Sequence, residues 1–348
     1  MFLVTGGAGF VGSHIVDALL AEGHAVRVLD LLHPAAHRQS PDYLDKRCEL
    51  VHGDVADAAL AQRCLDGVTA VCHQAAMVGM GTDFGDVVDY VHHNALATAV
   101  LLHALSRRSR VGRLVLASSM VVYGEGSYRC PEHGLIAPAP RRAEDLRARR
   151  FEPPCPGCAR PLAPCAVSEQ APLDPRNVYA ATKVHQEHLC GAFARETGIA
   201  VTALRYHNVY GPRMPRDTPY AGVASIFASQ LAAGRPPMVY EDGAQLRDFV
   251  HVRDVARANV LALTLPEPVR GALNVASGHP RSVAAMARAL TAEAGPVAPA
   301  PVITGEYRLG DVRHVFASPS RAADLLGFRA REDFQAGMAE FVRAPLRA

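Results

Sequence analysis

A tyrosine and a lysine stand four positions apart, at Tyr179 and Lys183, in a stretch with helical periodicity. On a helix this spacing places both side chains on one face, one turn apart. Tyrosine is a poor base at its ordinary pKa of about 10, but a neighbouring ammonium group favours the phenolate near neutral pH. Only two of the 36 basic residues are lysines, Lys46 and Lys183. This spacing therefore favours a catalytic pair over a chance pair of surface side chains.

Two further hydroxyl groups come from Ser118 and Ser119, which follow an apolar run predicted to be a strand. A hydroxyl at the end of a strand can bind the substrate oxygen that Tyr179 deprotonates. Two serines at such a position mean little alone. Together with Tyr179 and Lys183 they predict a site that moves a proton from a substrate hydroxyl.

A glycine-rich turn is formed by Gly6, Gly9 and Gly12, between the first apolar run and a helical pattern. Glycine lets the backbone approach a pyrophosphate, which then meets unpaired N–H groups at the helix N-terminus. Asp30 stands at the end of the next predicted strand. A carboxylate there accepts hydrogen bonds from both ribose hydroxyls and repels a 2′-phosphate. The pattern predicts a dinucleotide site that selects NAD over NADP.

The elements that must position these groups follow from hydrophobic periodicity. The first part of the chain contains five predicted strands, Phe2–Thr5, Ala25–Leu29, Glu49–His52, Ala70–His73 and Arg113–Ser118. Helical stretches alternate with them and include Ala56–Leu65 and a long helix over Asp86–Ser106. Such alternation predicts an α/β fold with a parallel, doubly wound sheet of the Rossmann type.

The second half of the chain has more helices than strands. The predicted elements are the helices Asn177–Glu196, Tyr220–Ala233, Val252–Leu263, Ser282–Ala294 and Glu332–Val342, and the strands Ile199–Tyr206, Met238–Tyr240 and Leu273–Ala276. This pattern predicts a smaller α/β substrate-binding lobe at the C-terminus. We therefore expect an NAD-binding domain over residues 1–207, which carries an insert at 127–165, and a lobe over 208–348 interleaved with that domain.

Motifs along nearly the whole chain resemble those of one family. They read VTGGAGFVGSH, GDV, HQAA, LASSMVVYG, YAATK, LRYHNVYGPR, QLRDFVHVRDVA, LNVASG and GDVRH. Their combination is similar to that of the extended short-chain dehydrogenase/reductases, in the branch of nucleotide-sugar epimerases and dehydratases. The resemblance implies Ser119, Tyr179 and Lys183 as the catalytic residues. It further implies that Asn208, Arg247 and Arg313 bind the diphosphate of a nucleotide sugar, a role that suits arginine.

The cofactor site implied by the motifs and the resemblance combines the glycine-rich turn with the ends of the first strands. It comprises Gly6, Gly9, Phe10, Val11, Gly12, Asp30, Asp54, Val55, Ala75 and Ala76, together with Tyr179 and Lys183. The implied cofactor is NAD, with Asp54 and Val55 near the adenine.

The reaction type is predicted from two apolar residues, Met120 and Val121. In family members that remove water or carbon dioxide, acidic residues stand at these positions. Neither methionine nor valine can move a proton, so hydride chemistry alone is left. The resemblance then implies a 4-epimerase that oxidises a sugar hydroxyl, turns the ketone over and reduces its other face.

The substrate is less constrained than the reaction. The apolar stretch from Ala75 to Val78 suits a 6-deoxy sugar better than a uronate, and the overall pattern is most similar to the dTDP-L-rhamnose 4-epimerases. A UDP-hexose or UDP-hexuronate 4-epimerase and an NAD(P)-dependent 4-ketoreductase remain alternatives. Asp30 opposes the NADP that a reductase would prefer. A regulator that only senses the cofactor is disfavoured by the intact Ser119, Tyr179 and Lys183.

The insert carries two short motifs, Cys130-Pro-Glu-His133 and Cys155-Pro-Gly-Cys158. Turns of this kind present pairs of ligands to a tetrahedral zinc ion. One hypothesis is a structural zinc site of Cys130, His133, Cys155 and Cys158, in which Cys165 could replace His133. The alternative is a flexible, arginine-rich flap with incidental thiols.

Bulk composition narrows the partners. A net charge of +2 gives no reason to expect nucleic acid or an anionic membrane as a partner. The chain shows no signal peptide or apolar run of about 20 residues, so we expect a cytoplasmic protein without a membrane span. The resemblance implies a homodimer built through the helices Asp86–Ser106 and Asn177–Glu196.

Overall fold

A computed structural model describes residues 1–34, 36–37, 41–79, 84–107, 110–216 and 222–347. Sixteen strands are described there: β1 Phe2–Thr5, β2 Val26–Asp30, β3 Glu49–His52, β4 Ala70–His73, β5 Arg113–Ser119, β6 Ser127–Cys130, β7 Gly134–Ile136, β8 Ala163–Cys165, β9 Ala200–Tyr206, β10 Asn208–Tyr210, β11 Met238–Val239, β12 Leu246–Arg247, β13 Phe249–His251, β14 Gly271–Val275, β15 Arg281–Ser282 and β16 Val302–Ile303.

Eleven α-helices are described in the same ranges: α1 Phe10–Ala21, α2 Ala58–Cys64, α3 Val87–Tyr90, α4 Ala97–Leu105, α5 Ala143–Arg147, α6 Val178–Thr197, α7 Val223–Ala232, α8 Val252–Thr264, α9 Val283–Ala294, α10 Ser320–Leu326 and α11 Phe334–Arg343. The predicted helix Tyr220–Ala233 corresponds to α7, and its first two residues lie outside the described ranges.

Seven parallel strands form the main sheet, in the order β14-β9-β5-β4-β1-β2-β3. Apolar residues pack on both faces, with α1 and α8 on one side and α2, α4 and α6 on the other. Sheets of this kind bury both faces, which is why their strands are nearly continuous runs of Val, Leu and Ala. The predicted Rossmann-type fold is confirmed.

The chain beyond residue 207 belongs in part to this sheet layer. Strand β14 pairs with β9 as an edge strand, and α8 packs against α1. The rest forms a smaller α/β region, whose core joins α7, α9 and α11. The carboxyl ends of β1, β4, β5 and β9 face this region, the place where open parallel sheets bind ligands.

The long helix predicted over Asp86–Ser106 is interrupted. A wider π-helical segment, Val91–Leu96, lies between α3 and α4. Inside it, the buried Asn94 hydrogen-bonds the backbone N–H and carbonyl of Met77 at 2.7 and 3.0 Å, and the hydroxyl of Thr182 at 2.9 Å. The wide turn therefore coincides with the contact that ties α6 to the loop after β4.

The insert folds into regular secondary structure. Strands β6, β7 and β8 form a small antiparallel sheet in the order β7-β6-β8, and α5 lies between β7 and β8. A separate apolar cluster around Tyr128 and Leu162 holds this sheet together. None of the helices in the described ranges is long and apolar enough to cross a membrane.

Candidate active site

One cavity of about 910 Å³ opens at the carboxyl ends of the central strands. Its size is typical of a site for a cofactor and a small substrate. The predicted residues that line it are Gly6, Gly9, Phe10, Val11, Gly12, Asp30, Asp54, Val55, Ala75, Ala76, Ser119, Tyr179, Lys183, Asn208 and Arg247. Arg313 is the one predicted substrate-binding residue that does not line it.

The glycine-rich turn is packed so closely that side chains would not fit. Gly6 has a φ of +66°, and a Cβ on Gly12 would lie 2.1 Å from the Gly6 carbonyl oxygen. Gly9 precedes α1 without a side chain to cap the helix, so the first N–H groups of α1 have no side-chain acceptor there. Such a turn offers a cradle for a pyrophosphate, and it fits NAD.

Asp30 lies at the end of β2 and is 8% exposed. Its carboxylate accepts hydrogen bonds from the backbone N–H groups of Ala8 and Leu32, at 2.9 and 2.8 Å. These bonds fix the carboxylate beside the glycine-rich turn, where the ribose of a dinucleotide would lie. Arg347, near the end of the chain, also reaches this turn, and it donates to the Ala8 carbonyl at 3.2 Å.

We expect Asp30→Ala to lower the preference for NAD over NADP by about tenfold or more, because the carboxylate that repels the 2′-phosphate is lost. Asp54→Asn is the control, since Asp54 lines the same cavity but is predicted near the adenine. It should change the affinities for both cofactors alike. Dissociation constants for NAD and NADP measure both effects. Equal binding of NAD and NADP by the unaltered chain would contradict the assignment of Asp30.

The structure brings Ser119, Tyr179 and Lys183 together. Asn177 caps α6 by accepting from the Ala180 N–H at 2.8 Å, which sets Tyr179 in the first turn. Burial raises the pKa of Tyr179 to about 12, and its hydrogen bond with Ser119 acts in the opposite direction. The phenol is therefore protonated at neutral pH until a positive charge approaches it.

Lys183 is 3% exposed, and its ammonium group donates to the Ala117 carbonyl at 2.8 Å. It lies 5.8 Å from the centre of the Tyr179 ring. Burial lowers the pKa of Lys183 to about 7, against the nearby Glu187, which raises it. A lysine held this way can change its charge near neutral pH, or stay charged when an anion forms beside it.

The neighbouring serine has a different role. Ser118 donates its hydroxyl hydrogen to Glu187, and Glu187 receives two hydrogen bonds from Arg205 at 2.9 and 2.7 Å. These hydrogen bonds connect the end of β5 to α6 and β9. Of the two serines, Ser119 is therefore the one whose hydroxyl interacts with Tyr179.

Arg247 and Asn208 both line the cavity. The guanidinium of Arg247, 9% exposed, donates to the backbone carbonyls of Leu246, Val312 and Arg313, at 2.9, 2.7 and 2.9 Å. Burial lowers its pKa. The side-chain oxygen of Asn208 is buried without a hydrogen-bond partner in the described ranges. A buried cation that bonds neutral carbonyls favours an anionic ligand such as a phosphate.

Arg313 lies outside the cavity, contrary to the position that its implied role requires. Its buried guanidinium bonds Glu152 at 2.7 Å, Glu241 at 2.8 Å and Asp242 at 2.7 Å. With three carboxylates around it, this cation has no free face to offer a diphosphate. Its place is in the contact between the insert and the cavity wall.

Arg308 is a cavity residue that the sequence motifs do not indicate. It lines the cavity, is exposed, and its guanidinium lies 5.8 Å from the ring centre of Tyr240. Arg308 lies two residues before Gly310 and Arg313 two residues after Asp311. Spacing in the sequence therefore does not show which of the two arginines reaches the cavity. The distinguishing signal is burial among carboxylates from distant segments, which one sequence does not reveal.

Met120 and Val121 stand directly after Ser119, in a short 3₁₀-helix, Met120–Tyr123. Both line the cavity. The Val121 N–H donates to the Ser119 hydroxyl at 3.4 Å, which keeps the two residues beside the reactive groups. The wall next to Ser119 and Tyr179 therefore presents no proton donor at these two positions.

The four predicted metal ligands of the insert also come together. The ligand atoms of Cys130, His133, Cys155 and Cys158 all lie within 4.8 Å of one another. Cys165, named as a substitute for His133, is not in this group. The cysteines are free thiols. The cluster lies in the insert, separate from the residues that line the cavity.

Comparisons with known proteins point in one direction. The sequence profile described as "NAD dependent epimerase/dehydratase family" matches residues 2–143 and 159–276. A dTDP-L-rhamnose 4-epimerase of Burkholderia thailandensis is 32% identical over 343 residues, which cover 97% of this chain and 93% of the relative. Residues 144–158 of the chain, between the two matched segments, lie in the insert and include Cys155 and Cys158.

Two solved structures are similar over nearly the whole chain. The UDP-glucose 4-epimerase of Thermus thermophilus, in complex with NAD, has a TM-score of 0.77 and 31% identity, and covers 98% of this chain and 97% of its own. The UDP-glucose 4-epimerase of Thermotoga maritima, with UDP-glucose, has a TM-score of 0.78 and 27% identity at the same coverage.

Proposed function

The chain belongs to the NAD-dependent epimerase/dehydratase family, and from that premise we propose that it is an isomerase that inverts C4 of a nucleotide-linked sugar. One observation carries the proposal: Ser119, Tyr179 and Lys183 meet at a cavity whose adjoining residues are Met120 and Val121. Proton transfer to and from one hydroxyl is available there, whereas the acidic groups that elimination or decarboxylation would need are replaced by apolar side chains.

The proposed roles follow from the geometry. Tyr179 takes the proton of the C4 hydroxyl and returns it, while Ser119 hydrogen-bonds the same oxygen. Lys183 lies next to the ring of Tyr179 and stabilises the phenolate. NAD, held by the glycine-rich turn and Asp30, would accept the C4 hydride and would return it to the opposite face of the ketone. Atoms and electrons balance within one turnover, and no reductant is consumed.

A ketone that must present both faces needs a fixed anchor outside the ring. Arg247, Arg308 and Asn208 all line the cavity, and their side chains suit the diphosphate of the nucleotide. Two guanidinium groups can hold a diphosphate by charge-assisted hydrogen bonds. We assign the diphosphate to this pair in place of Arg313, because the Arg313 guanidinium is committed to carboxylates.

The substrate we propose is a dTDP-linked 6-deoxyhexose such as dTDP-L-rhamnose. Ala76, Met77 and Val78 line the cavity together with Met120 and Val121, and such a wall suits a methyl group at C5 better than a carboxylate. The relative from Burkholderia thailandensis is named for that substrate. The chain is also similar to UDP-glucose 4-epimerases, so a UDP-hexose is the first competitor to test.

The test is conversion of a panel of nucleotide sugars by purified protein without added nicotinamide, followed by NMR. We expect interconversion of dTDP-L-rhamnose and its 4-epimer to exceed that of UDP-glucose or UDP-glucuronate. Substrate deuterated at C4 should give product that is still deuterated at C4, because the same hydride returns. Loss of the label to solvent, consumption of NAD(P)H, or release of water or carbon dioxide would each contradict the proposed reaction.

We also propose that the chain forms a homodimer through the helical stretch from Phe84 to Leu105. Four apolar side chains protrude there, with Phe84 75% and Val88 71% exposed, and Val91 and Leu96 each 47% exposed. Exposed apolar side chains that recur along one helical stretch are typical of a surface that packs against another helix. Analytical ultracentrifugation should show a dimer, and a monomer at micromolar concentration would contradict this proposal.

A further inference from the structure

Three distances within the Cys/His cluster match those of a tetrahedral zinc site. Zinc holds cysteine sulfur at about 2.3 Å and histidine nitrogen at about 2.0–2.1 Å, so neighbouring ligand atoms in a tetrahedron lie roughly 3.5–3.8 Å apart. The Cys130 and Cys158 sulfurs are 3.6 Å apart, and His133 Nδ1 lies 3.5 Å from Cys130 and 3.4 Å from Cys155. A disulfide would require sulfurs about 2.05 Å apart.

The backbone around the cluster is shaped to keep the ligands together. In the second motif the Ala159 N–H donates to the Cys155 carbonyl at 2.8 Å, and the Cys155 N–H donates to the Arg160 carbonyl at 2.7 Å. A Cβ on Gly157 would lie 2.8 Å from the His133 ring, so only glycine fits below that ring. The two motifs therefore interlock across the cluster.

The insert rests directly on one wall of the active-site cavity. The wall segment 306–315 contributes six lining residues, Glu306, Arg308, Gly310, Asp311, Val312 and Val315. From the insert, Arg141 donates to the Asp311 carbonyl at 2.7 Å, and Glu152 bonds Arg313 at 2.7 Å and His314 at 2.9 Å. The His314 N–H donates to the Tyr128 hydroxyl at 3.1 Å.

The cluster and these contacts are close in the chain. Tyr128 is on the same strand as Cys130 and packs in one apolar cluster with Cys155 and Leu162. Glu152 is three residues before Cys155. A ligand that fixes the four Cys and His side chains would therefore also fix Tyr128 and Glu152, which contact the wall segment.

We propose that Cys130, His133, Cys155 and Cys158 bind one structural zinc ion, which fixes the insert against segment 306–315 and so positions Arg308 for the nucleotide diphosphate. Three thiolates and one imidazole in a tetrahedron are a ligand set that zinc prefers. The metal site itself depends only on the cluster. Its effect on nucleotide binding rests on the proposed function.

Metal analysis of the full chain, purified without chelator, tests the site. We expect about one zinc per chain. Cys155→Ser should lose the metal, whereas Cys165→Ser, a cysteine of the same insert outside the cluster, should keep it. Absence of zinc from the unaltered chain, loss of zinc in Cys165→Ser, or retention in Cys155→Ser would overturn the assignment.

Calorimetric binding of UDP and dTDP tests the positioning role. Cys155→Ser is expected to weaken binding of the preferred nucleotide by about tenfold or more while its NAD content per chain stays at the level of Cys165→Ser. Unchanged NAD content shows that the sheet domain is folded. In the unaltered chain, chelation should weaken nucleotide binding and expose the insert arginines to trypsin, and added zinc should reverse both changes.

Unchanged nucleotide affinity after loss of zinc would overturn the positioning role and leave the metal site standing. Binding of neither UDP nor dTDP by the unaltered chain would overturn that role and the proposed function together, while the zinc content would still decide the site. Nucleotide binding that depends on zinc in a chain without epimerase activity would overturn only the proposed reaction.

Discussion

Replacement of Tyr179 by phenylalanine is expected to lower kcat by about 10² to 10⁴ while the affinity for the nucleotide sugar stays nearly unchanged. The hydroxyl of Tyr179 is the group placed to take the C4 proton, and its ring remains in Phe. The diphosphate is proposed to be held elsewhere, by Arg247 and Arg308. The measurements are kcat from NMR progress curves and the dissociation constant from calorimetry.

Tyr90→Phe is the matched control for this change. Its ring centre lies 6.1 Å from that of Tyr179, and its hydroxyl donates to the Gly79 carbonyl at 2.9 Å. Tyr90 does not line the cavity. The same hydroxyl also donates to the Val78 carbonyl at 3.4 Å. Losing the Tyr90 hydroxyl should cost about 1 kcal/mol of stability and change kcat by no more than severalfold. A Tyr179→Phe enzyme with nearly normal kcat would remove tyrosine from the mechanism.

The parts of the site that sequence could predict depend on local rules. Gly12 is required by the turn itself, because its Cβ would lie 2.1 Å from the Gly6 carbonyl oxygen, and Gly6 has a φ of +66° that favours glycine. Tyr179 and Lys183 meet because helical spacing brings residues four apart onto one face. Strands β1, β3 and β4 have the predicted bounds, because each contains adjacent apolar residues bordered by polar or turn residues.

The parts that sequence could not predict depend on contacts between distant segments. The wide turn at Val91–Leu96 cannot be seen in the periodicity, because Asn94 meets Met77 and Thr182 only in the folded chain. The strands of the insert carry no apolar run, because each of them contains a polar residue, a glycine or a proline. The family resemblance implies Arg313 at the diphosphate. The carboxylates of residues 152, 241 and 242 surround its guanidinium only in the folded chain, so the sequence does not show that this cation is already paired.

Lys183→Met is expected to lower kcat by about 10² to 10³, because the cation beside Tyr179 is lost. It should nevertheless not lower the stability of the fold. Lys183 is buried and its ammonium group bonds a neutral carbonyl, so the folded chain holds its proton less tightly than the unfolded chain does. Methionine fills similar space without a charge to desolvate.

The pH dependence of stability gives this prediction its sign. Burial lowers the pKa of Lys183 to about 7 from its ordinary 10.5. Between these values the unfolded chain binds a proton that the folded chain lacks, so the wild type gains stability from this site as the pH rises. The full loss of stability caused by burying Lys183 is present below about pH 7, and none of it remains above about pH 10.5. The melting temperature of Lys183→Met should thus exceed that of wild type most at about pH 6 and least near about pH 10.

Lys46→Met is the control, because Lys46 is the other lysine of the chain and is exposed. It should leave kcat and the pH dependence of the melting temperature as in the wild type. Scanning calorimetry from about pH 6 to about pH 10 on the three proteins measures the difference. A Lys183→Met protein that melts below the wild type at the acidic end of this range would mean that the buried ammonium stabilises the fold. Lys183 would then have a structural role beside Tyr179, and the prediction would be wrong.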